Sequence, residues 1–187
     1  MPATSRTLWL LRHAKTETDP PTGGTDFDRV LAPRGRRDAK ALGRVFAAGH
    51  AELGVPRSVP LPGVALVSPA ARTAATADLV LAGLAAPPEI RLEKELYTAE
   101  PEEVVDLVRT LPDEVASAMV VGHNPTAHEL SQGLIASDDK KGLGLAARRA
   151  FPTCALGIYR FRVEHWDEVV LRGAKLLSLL VPPYGKA

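Results

Sequence analysis

The sequence of 187 residues contains a single cysteine, Cys154, and no long hydrophobic run. One cysteine excludes a disulfide within the chain, and it excludes a metal site built from several thiolates. The apolar run at residues 8–11 is too short for the hydrophobic region of a signal peptide or for a membrane span. These two shortages predict a cytoplasmic protein that is not inserted in a membrane.

The chain also lacks an excess of charge of either sign. Its 23 basic and 22 acidic side chains leave a formal net charge of +1. A balance this close to zero provides no general attraction to nucleic acid or to an anionic membrane surface. Recognition of an anion must therefore depend on a local group of residues, and we expect neither nucleic acid nor membrane as a partner.

What the sequence does contain is an alternation of short apolar runs and helical patterns. The apolar fraction of 45% is ordinary for a globular protein, and the length suffices for one domain with a hydrophobic core. Strands are predicted at residues 8–11, 63–67, 89–92, 118–121, 155–163, 168–172 and 176–181. Helices are predicted at residues 36–48, 68–82, 101–111 and 126–135, with 137–152 left as a loop or a partly ordered helix. This order predicts an α/β fold in one domain spanning residues 1–187, a three-layer sandwich whose mainly parallel sheet has helices on both faces.

Unusual side chains follow three of the predicted strands. Arg12 and His13 follow the first strand, Arg72 lies at the start of the helix after the second, and His123 follows the fourth. Ligands bind at the carboxyl ends of the strands in open α/β sheets, so we expect these residues to meet at one edge. Arginine offers a planar fork of donors that matches phosphate, and a neutral imidazole has a lone pair that can attack phosphorus. The sequence therefore predicts an anion site that contains a nucleophile.

Four segments resemble motifs of the histidine phosphatase superfamily, whose fold is called phosphoglycerate mutase-like. They are residues 11–15 (Leu-Arg-His-Ala-Lys), 67–77 (Val-Ser-Pro-Ala-Ala-Arg-Thr-Ala-Ala-Thr-Ala), 122–124 (Gly-His-Asn) and 28–35 (Asp-Arg-Val-Leu-Ala-Pro-Arg-Gly). The last of these, together with the modest length, resembles the small SixA-like phosphohistidine phosphatases. The family normally has glycine after the first histidine, where this sequence has Ala14, and the added methyl group bears on how closely that loop can approach a phosphate.

The resemblance implies a role for each of the four residues. His13 would be the nucleophile that forms a covalent phosphohistidine, and Arg12 and Arg72 would hold the phosphoryl oxygens. His123 would donate a hydrogen bond to a nonbridging oxygen. Arg29 is a further candidate for substrate binding, because its loop follows the catalytic strand. No metal and no organic cofactor is implied.

The source of the proton for the leaving group stays open at this point. Protonating an alkoxide requires a carboxylic acid whose pKa lies near neutral pH. Glu95 stands where mutase-like relatives have a glutamate after the second arginine motif, and Asp19, Asp26 and Asp28 in the first long loop are alternatives. A phosphoramidate relaxes the requirement, because phosphohistidine with a protonated ring already has a good leaving group.

The expected reaction is metal-independent hydrolysis of a phosphomonoester or a phosphoramidate. The short connections leave little room for the helical insertion that covers the site in many relatives, so we expect an open site. An open site admits a phosphorylated protein of the histidine phosphotransfer type, and it also admits small phosphate esters. A mutase, which must shield its phosphoryl group from water, fits less well. A phosphate-binding or scaffold protein without activity is the alternative from another class, and nothing in the sequence distinguishes a monomer from a dimer.

Overall fold

The computed structural model describes residues 5–184, which build one six-stranded sheet with helices on both of its faces. The strands are β1 (Arg6–Arg12), β2 (Val64–Val67), β3 (Glu89–Leu92), β4 (Ser117–Gly122), β5 (Leu156–Phe161) and β6 (Ala174–Leu180). The helices are α1 (Pro33–Ala48), α2 (Ala71–Leu81), α3 (Pro101–Arg109), α4 (Thr126–Gly133) and α5 (Lys140–Arg148). Short 3₁₀ turns lie at Asp26–Asp28, Lys94–Tyr97 and Trp166–Glu168.

The strands lie side by side in the order β3-β2-β4-β1-β5-β6. The first four of these run parallel to one another, whereas β5 pairs antiparallel with both β1 and β6. The predicted α/β fold with a mainly parallel sheet is therefore confirmed, and its antiparallel part comes from the two C-terminal strands.

The central strands are buried on both faces, which explains their continuous apolar sequences. Successive residues of a strand point to opposite faces of the sheet. On β1, Trp9 packs in the hydrophobic cluster under α1 and α2, and Leu10 packs in the cluster under α3 and α4. The sheet is thus the middle of three layers. No helix within residues 5–184 is long and apolar enough to cross a membrane.

The start of α1 explains the glycine that ends the 28–35 segment. The helix begins at Pro33, earlier than its apolar spacing indicates, because proline is favoured in the first helical turn. A Cβ atom on Gly35 would lie 2.0 Å from the carbonyl oxygen of Lys15. Any side chain here would push α1 away from the loop that follows His13, so the glycine allows this loop to pack closely.

The C-terminal part of the chain changes two expectations. Residues 140–148 form a regular helix, α5, whose first turn is capped by the Asp139 side chain accepting from the Gly142 amide at 3.0 Å. The strand predicted at residues 168–172 is wrong. Its Arg172 amide donates to the Gly133 carbonyl at the end of α4 (2.8 Å), and Arg172 has a left-handed φ of 59°. Val169 is buried, Val170 is exposed and Leu171 is half-buried, and the segment pairs with no strand of the described chain.

Candidate active site

The carboxyl ends of β1, β2 and β4 meet at one edge of the sheet and bring the four predicted residues together. Arg12 pairs with Gly122 across β1 and β4, and the His13 amide donates to the Gly122 carbonyl at 3.1 Å. The ring centroids of His13 and His123 are 5.3 Å apart. Arg72, in the first turn of α2, has its Nε 3.2 Å from Nδ1 of His123. The result is a compact group of two imidazoles and two guanidinium groups.

His13 is held so that one of its ring nitrogens is available. Its Nδ1 lies 2.8 Å from the carbonyl oxygen of Ala14, and since a carbonyl only accepts, Nδ1 carries the proton. Burial lowers the pKa of His13 from 6.5 to about 4, and the nearby charges of Arg72, Arg12 and Arg29 act in the same direction, against the hydrogen bond to Ala14. The ring is therefore neutral near pH 7, with its lone pair at Nε2. This is the form that a nucleophilic histidine requires.

Ala14, which stands where the family has glycine, points its methyl group into the core. The residue is fully buried and belongs to the hydrophobic cluster under α1 and α2. Its amide donates to Oγ1 of Thr76 on α2 at 3.0 Å, which ties the loop after β1 to that helix. The methyl group therefore takes no space that an entering phosphate could reach.

Arg12 has donors without partners. Its Nη1 donates to the carbonyl oxygen of Phe151 at 2.9 Å, while its buried Nε has no hydrogen-bond partner within the described chain. None of the carboxylates of residues 5–184 forms an ion pair with it. Desolvation by burial lowers the pKa of Arg12, and a withdrawn cation without an anion is costly. Binding an anion here would satisfy both the charge and the free N–H groups.

Arg72 is engaged on its outer side by the first long loop. Its Nη2 lies 2.9 Å from Oδ2 of Asp26, and its Nη1 lies 2.6 Å from the main-chain oxygen of the same residue. Arg29 and the Tyr97 hydroxyl also donate to the Asp26 carboxylate, each at 2.9 Å. These contacts, the hydrogen bond from Arg29 first among them, lower the pKa of Asp26 to about 2. The carboxylate is therefore ionised at neutral pH. The Nε of Arg72, on its other edge, donates to His123.

The partners of His123 fix the position of its proton. A guanidinium only donates, so Nδ1 of His123 accepts from Arg72, and Nε2 carries the proton of the neutral ring. Nε2 then donates to Oγ of Ser68 at 2.8 Å. Burial first, and then the charges of Arg72 and Arg12, lower the pKa of His123 to about 3, against the opposite effect of Asp26. Both histidines are therefore neutral in the free site.

The two remaining predicted residues lie outside this group. Arg29 uses its Nε, Nη1 and Nη2 on Glu17, Asp26 and Thr16, so it holds the first loop in shape. Glu95 is exposed in the Lys94–Tyr97 turn, and within the described chain its carboxylate has no hydrogen bond or ion pair with another side chain. Substrate binding by Arg29 and proton donation by Glu95 stay predictions.

The site contains three side chains whose positions the sequence does not predict. Ser68 follows β2 directly, and its hydroxyl partners His123. The sequence suggests Asp26 only as an alternative acid, whereas in the structure it contacts Arg72. The Tyr97 ring stands edge-on to the His123 ring at 5.4 Å and lies 5.7 Å from the Arg72 guanidinium carbon. Their positions in the sequence could have indicated Ser68 and Tyr97 as site residues, because Ser68 and the segment that contains Tyr97 both follow strands that end at this edge.

This arrangement can hold one phosphoryl group. Two guanidinium groups provide donors for its oxygens, and the neutral His13 ring offers a lone pair to its phosphorus. Among residues 5–184, no three histidine, cysteine, aspartate or glutamate side chains are grouped as ligands for a metal ion.

Comparison with known proteins agrees with this geometry. The model of the histidine phosphatase superfamily (branch 1) matches residues 8–97. An uncharacterized protein of Mycobacterium tuberculosis is 33% identical over 174 residues, which cover 92% of this chain and 99% of that protein.

Two solved structures are similar over nearly the whole chain. A candidate phosphohistidine phosphatase SixA from Nakamurella multipartitia superposes with a TM-score of 0.76 at 27% identity, covering 98% of this chain and 99% of the other. A candidate SixA from Agrobacterium tumefaciens superposes with a TM-score of 0.72 at 29% identity, covering 95% and 99%. The chain therefore belongs to the histidine phosphatase superfamily, in its SixA-like branch.

Proposed function

We propose that this protein is a metal-independent phosphatase that forms a covalent phosphohistidine on His13 and that its substrate is phosphohistidine in another protein. The observation that carries the proposal is the state of His13. Its Nδ1 proton is donated to the Ala14 carbonyl, its ring is neutral near pH 7 and so has its lone pair at Nε2, and the charges of Arg72 and Arg12 add to burial in lowering its pKa. Membership of the SixA-like branch supports a phosphatase.

In the first step, Nε2 of His13 attacks phosphorus while the bond to the leaving group breaks. The transferred group keeps its charge on the nonbridging oxygens, so catalysis depends on positioning and on electrostatic stabilisation. In this proposal, the stabilisation comes from the N–H groups of Arg12 that have no partner within residues 5–184 and from the guanidinium of Arg72. In the second step, water attacks phosphorus and releases His13.

His123 acts on the same oxygens once the anion is bound. A phosphoryl dianion between Arg72 and His123 offsets the positive charges that lower the pKa of His123 in the free site. The Arg72 Nε–H then donates to the phosphoryl group instead of to Nδ1, and Nδ1 takes up a proton from solvent and donates a hydrogen bond to a phosphoryl oxygen, while Nε2 keeps its bond to Ser68. The ring thereby becomes a third cation around the transition state.

The preference for phosphohistidine follows from the lack of a proton donor in the carboxylate that contacts Arg72. Asp26 is the carboxylate in contact with Arg72, and its low pKa keeps it ionised, so it cannot donate a proton near pH 7. A phosphohistidine with a protonated ring needs no such donor. The two similar SixA structures carry the name of phosphohistidine phosphatases, which supports the same substrate class. The partner we propose is a protein of the histidine phosphotransfer type.

The test is phosphate release in the presence of EDTA, with a phosphohistidine-bearing protein, p-nitrophenyl phosphate and sugar phosphates as substrates. We expect turnover to survive chelation and to fall by about a thousandfold or more in His13→Ala, because that variant lacks the attacking group. His128→Ala is the matched control, since His128 lies on α4 and its ring contacts Gln132.

Each other outcome has a distinct meaning. Equal activity in His13→Ala would contradict the mechanism. A preference for sugar phosphates would replace the protein substrate with small phosphate esters, and a loss of activity in Glu95→Gln on those esters alone would identify Glu95 as their acid. Tight phosphate binding without turnover of any substrate would indicate a binding protein.

A further inference from the structure

The carboxylate of Asp26 is not expected in a site that only binds phosphate, because its charge has the same sign as that of the ligand. It lies 2.9 Å from Nη2 of Arg72, and it is ionised at neutral pH. A negative charge this close to the Arg72 guanidinium repels an incoming phosphate and any leaving group that departs as an anion. A carboxylate held here is favourable when the substrate itself brings a positive charge.

Asp26 also has room to bind such a charge. A carboxylate has about four lone-pair sites. Three donors are present, because Oδ2 accepts from Arg72 and Tyr97 and Oδ1 accepts from Arg29. Within residues 5–184, one acceptor site of this carboxylate is therefore left, on Oδ1. The Asp26 side chain is 53% exposed, so a substrate can approach it from solvent.

The expected position of the leaving group points in the same direction. Attacking and leaving atoms lie roughly in line with phosphorus, so a group displaced by His13 departs on the side away from that ring. Asp26, in the Asp26–Asp28 turn, contacts Nη1 and Nη2 of Arg72, the edge of this guanidinium away from His123, and is half-exposed. If Arg72 holds a phosphoryl oxygen, Asp26 lies next to the phosphoryl group, within reach of a leaving group that departs toward solvent.

We propose that Asp26 determines specificity by accepting a hydrogen bond from the protonated imidazole ring of a phosphohistidine substrate, so that the site favours a phosphoramidate with a cationic leaving group over a phosphate ester. This inference rests on the proposed function of the site. In the reacting step, the bond from His13 Nε2 to phosphorus forms as the substrate's P–N bond breaks. The electron pair of that bond stays on the substrate nitrogen, which leaves a neutral imidazole whose other nitrogen keeps its proton. No proton from the enzyme is needed.

The same charge acts in the opposite sense on an ester. The oxygen of an ester leaving group becomes more negative as the P–O bond breaks, and Asp26 repels it. A neutral side chain of the same shape at this position should therefore lower the rate on a phosphoramidate and leave the rate on an ester unchanged or raised.

The experiment compares Asp26→Asn with Asp28→Asn, using phosphoimidazole and p-nitrophenyl phosphate as substrates. Asp28 is two residues further along the same turn, and its carboxylate accepts from the amide and the hydroxyl of Thr25 at 2.9 and 3.0 Å. The readout is the ratio of kcat/KM for phosphoimidazole to kcat/KM for p-nitrophenyl phosphate, measured on one preparation. Because the folded fraction cancels in this ratio, partial misfolding of a variant does not affect it.

We expect Asp26→Asn to lower this ratio by about tenfold, the loss typical of one charge-assisted hydrogen bond, and Asp28→Asn to leave it unchanged. Equal losses on both substrates would show that Asp26 only positions Arg72, and an unchanged ratio with unchanged rates would show that it has no part in specificity. Either result overturns the inference. If the wild type turns over neither substrate, the proposed function fails, and the inference fails with it.

Discussion

Arg6 and Arg12 lie at opposite ends of β1, where Arg6 is buried and Arg12 is half-buried. The terminal nitrogens of Arg6 have a full set of acceptors. They donate to the carbonyl oxygens of Asp113 (2.7 Å), Val115 (3.2 Å) and Glu164, and to the Asp113 carboxylate at 3.2 Å. The chain itself therefore neutralises this arginine and satisfies both of its terminal nitrogens, although its buried Nε, like that of Arg12, has no partner within residues 5–184.

Arg12 receives one carbonyl, that of Phe151, and no carboxylate within residues 5–184. The arginines at the two ends of one strand therefore differ in their partners. Arg6 forms an ion pair with Asp113 and stabilises the fold. Arg12 has no carboxylate partner within residues 5–184, so its charge is available to a ligand, and the histidines beside it stay neutral.

The largest expected effect is on catalysis at the Arg12 end. Arg12→Ala should lower kcat/KM by about 10²–10³-fold, because it removes donors that stabilise charge in the transition state. The free energy of unfolding should stay the same or rise, since an uncompensated cation is removed. Steady-state kinetics and urea unfolding of the same preparation measure both. If Arg12→Ala instead lowered the free energy of unfolding and left the activity per folded molecule unchanged, Arg12 would be a structural residue and not a catalytic one.

Histidine titration offers the next contrast between the two ends. At the Arg12 end, the pKa values of His13 and His123 are lowered to about 4 and about 3 by burial. At the Arg6 end, a hydrogen bond to Asp113 raises the pKa of His165. Ring signals in NMR should therefore titrate below 6.5 for the first two residues and above it for His165, which serves as the internal control.

The same shifts predict the pH dependence of stability. Between pH 6.5 and about 4, the unfolded chain protonates His13 and His123 while the folded chain does not. The contribution of these neutral rings to stability is therefore complete above pH 6.5 and is lost as the pH falls toward about 4 for His13 and about 3 for His123. A midpoint near 6.5 for His13 in the folded protein would contradict this account.

At the other end, Arg6→Ala should affect stability rather than catalysis. It leaves three carbonyl oxygens and the half-exposed Asp113 carboxylate without their donor, which should cost about 1–3 kcal/mol of unfolding free energy. The activity per folded molecule should stay near that of the wild type. Urea denaturation with an activity assay at low temperature checks both, and a selective loss of activity would break the comparison.

The smallest effect is expected from the support of His123. Ser68→Ala removes the acceptor of the Nε2 proton, and we expect kcat to fall by about tenfold, the equivalent of one neutral hydrogen bond. Ser68→Thr keeps a hydroxyl and should recover activity. If the alanine and threonine variants lose activity equally, packing at this position matters rather than the hydrogen bond.

The parts of this account that follow from the sequence are those with a regular pattern. The parallel strands are short apolar runs, and their ends converge in any such sheet, so the meeting of Arg12, His13, Arg72 and His123 could be predicted. The resemblance of the same segments to a known family agreed with this prediction.

The parts that do not follow depend on the paths of loops. The contact of Asp26 with Arg72 and Tyr97 joins a long loop to a helix and to a 3₁₀ turn, and no periodicity in the sequence encodes it. The false strand at residues 168–172 has a related cause. A short apolar run indicates burial, but it does not distinguish pairing in a sheet from packing against a helix. The roles of Glu95 and Arg29 stay predictions for the same reason.

The most direct test of the central claim is to trap the intermediate. The protein is mixed with a ³²P-labelled substrate, quenched in alkali within one turnover and digested, and the labelled peptide is mapped. The account predicts an alkali-stable, acid-labile phosphoryl group on His13, and no label in His13→Ala. A label on another residue, or turnover without any labelled protein in a quench faster than one cycle, would contradict the covalent mechanism.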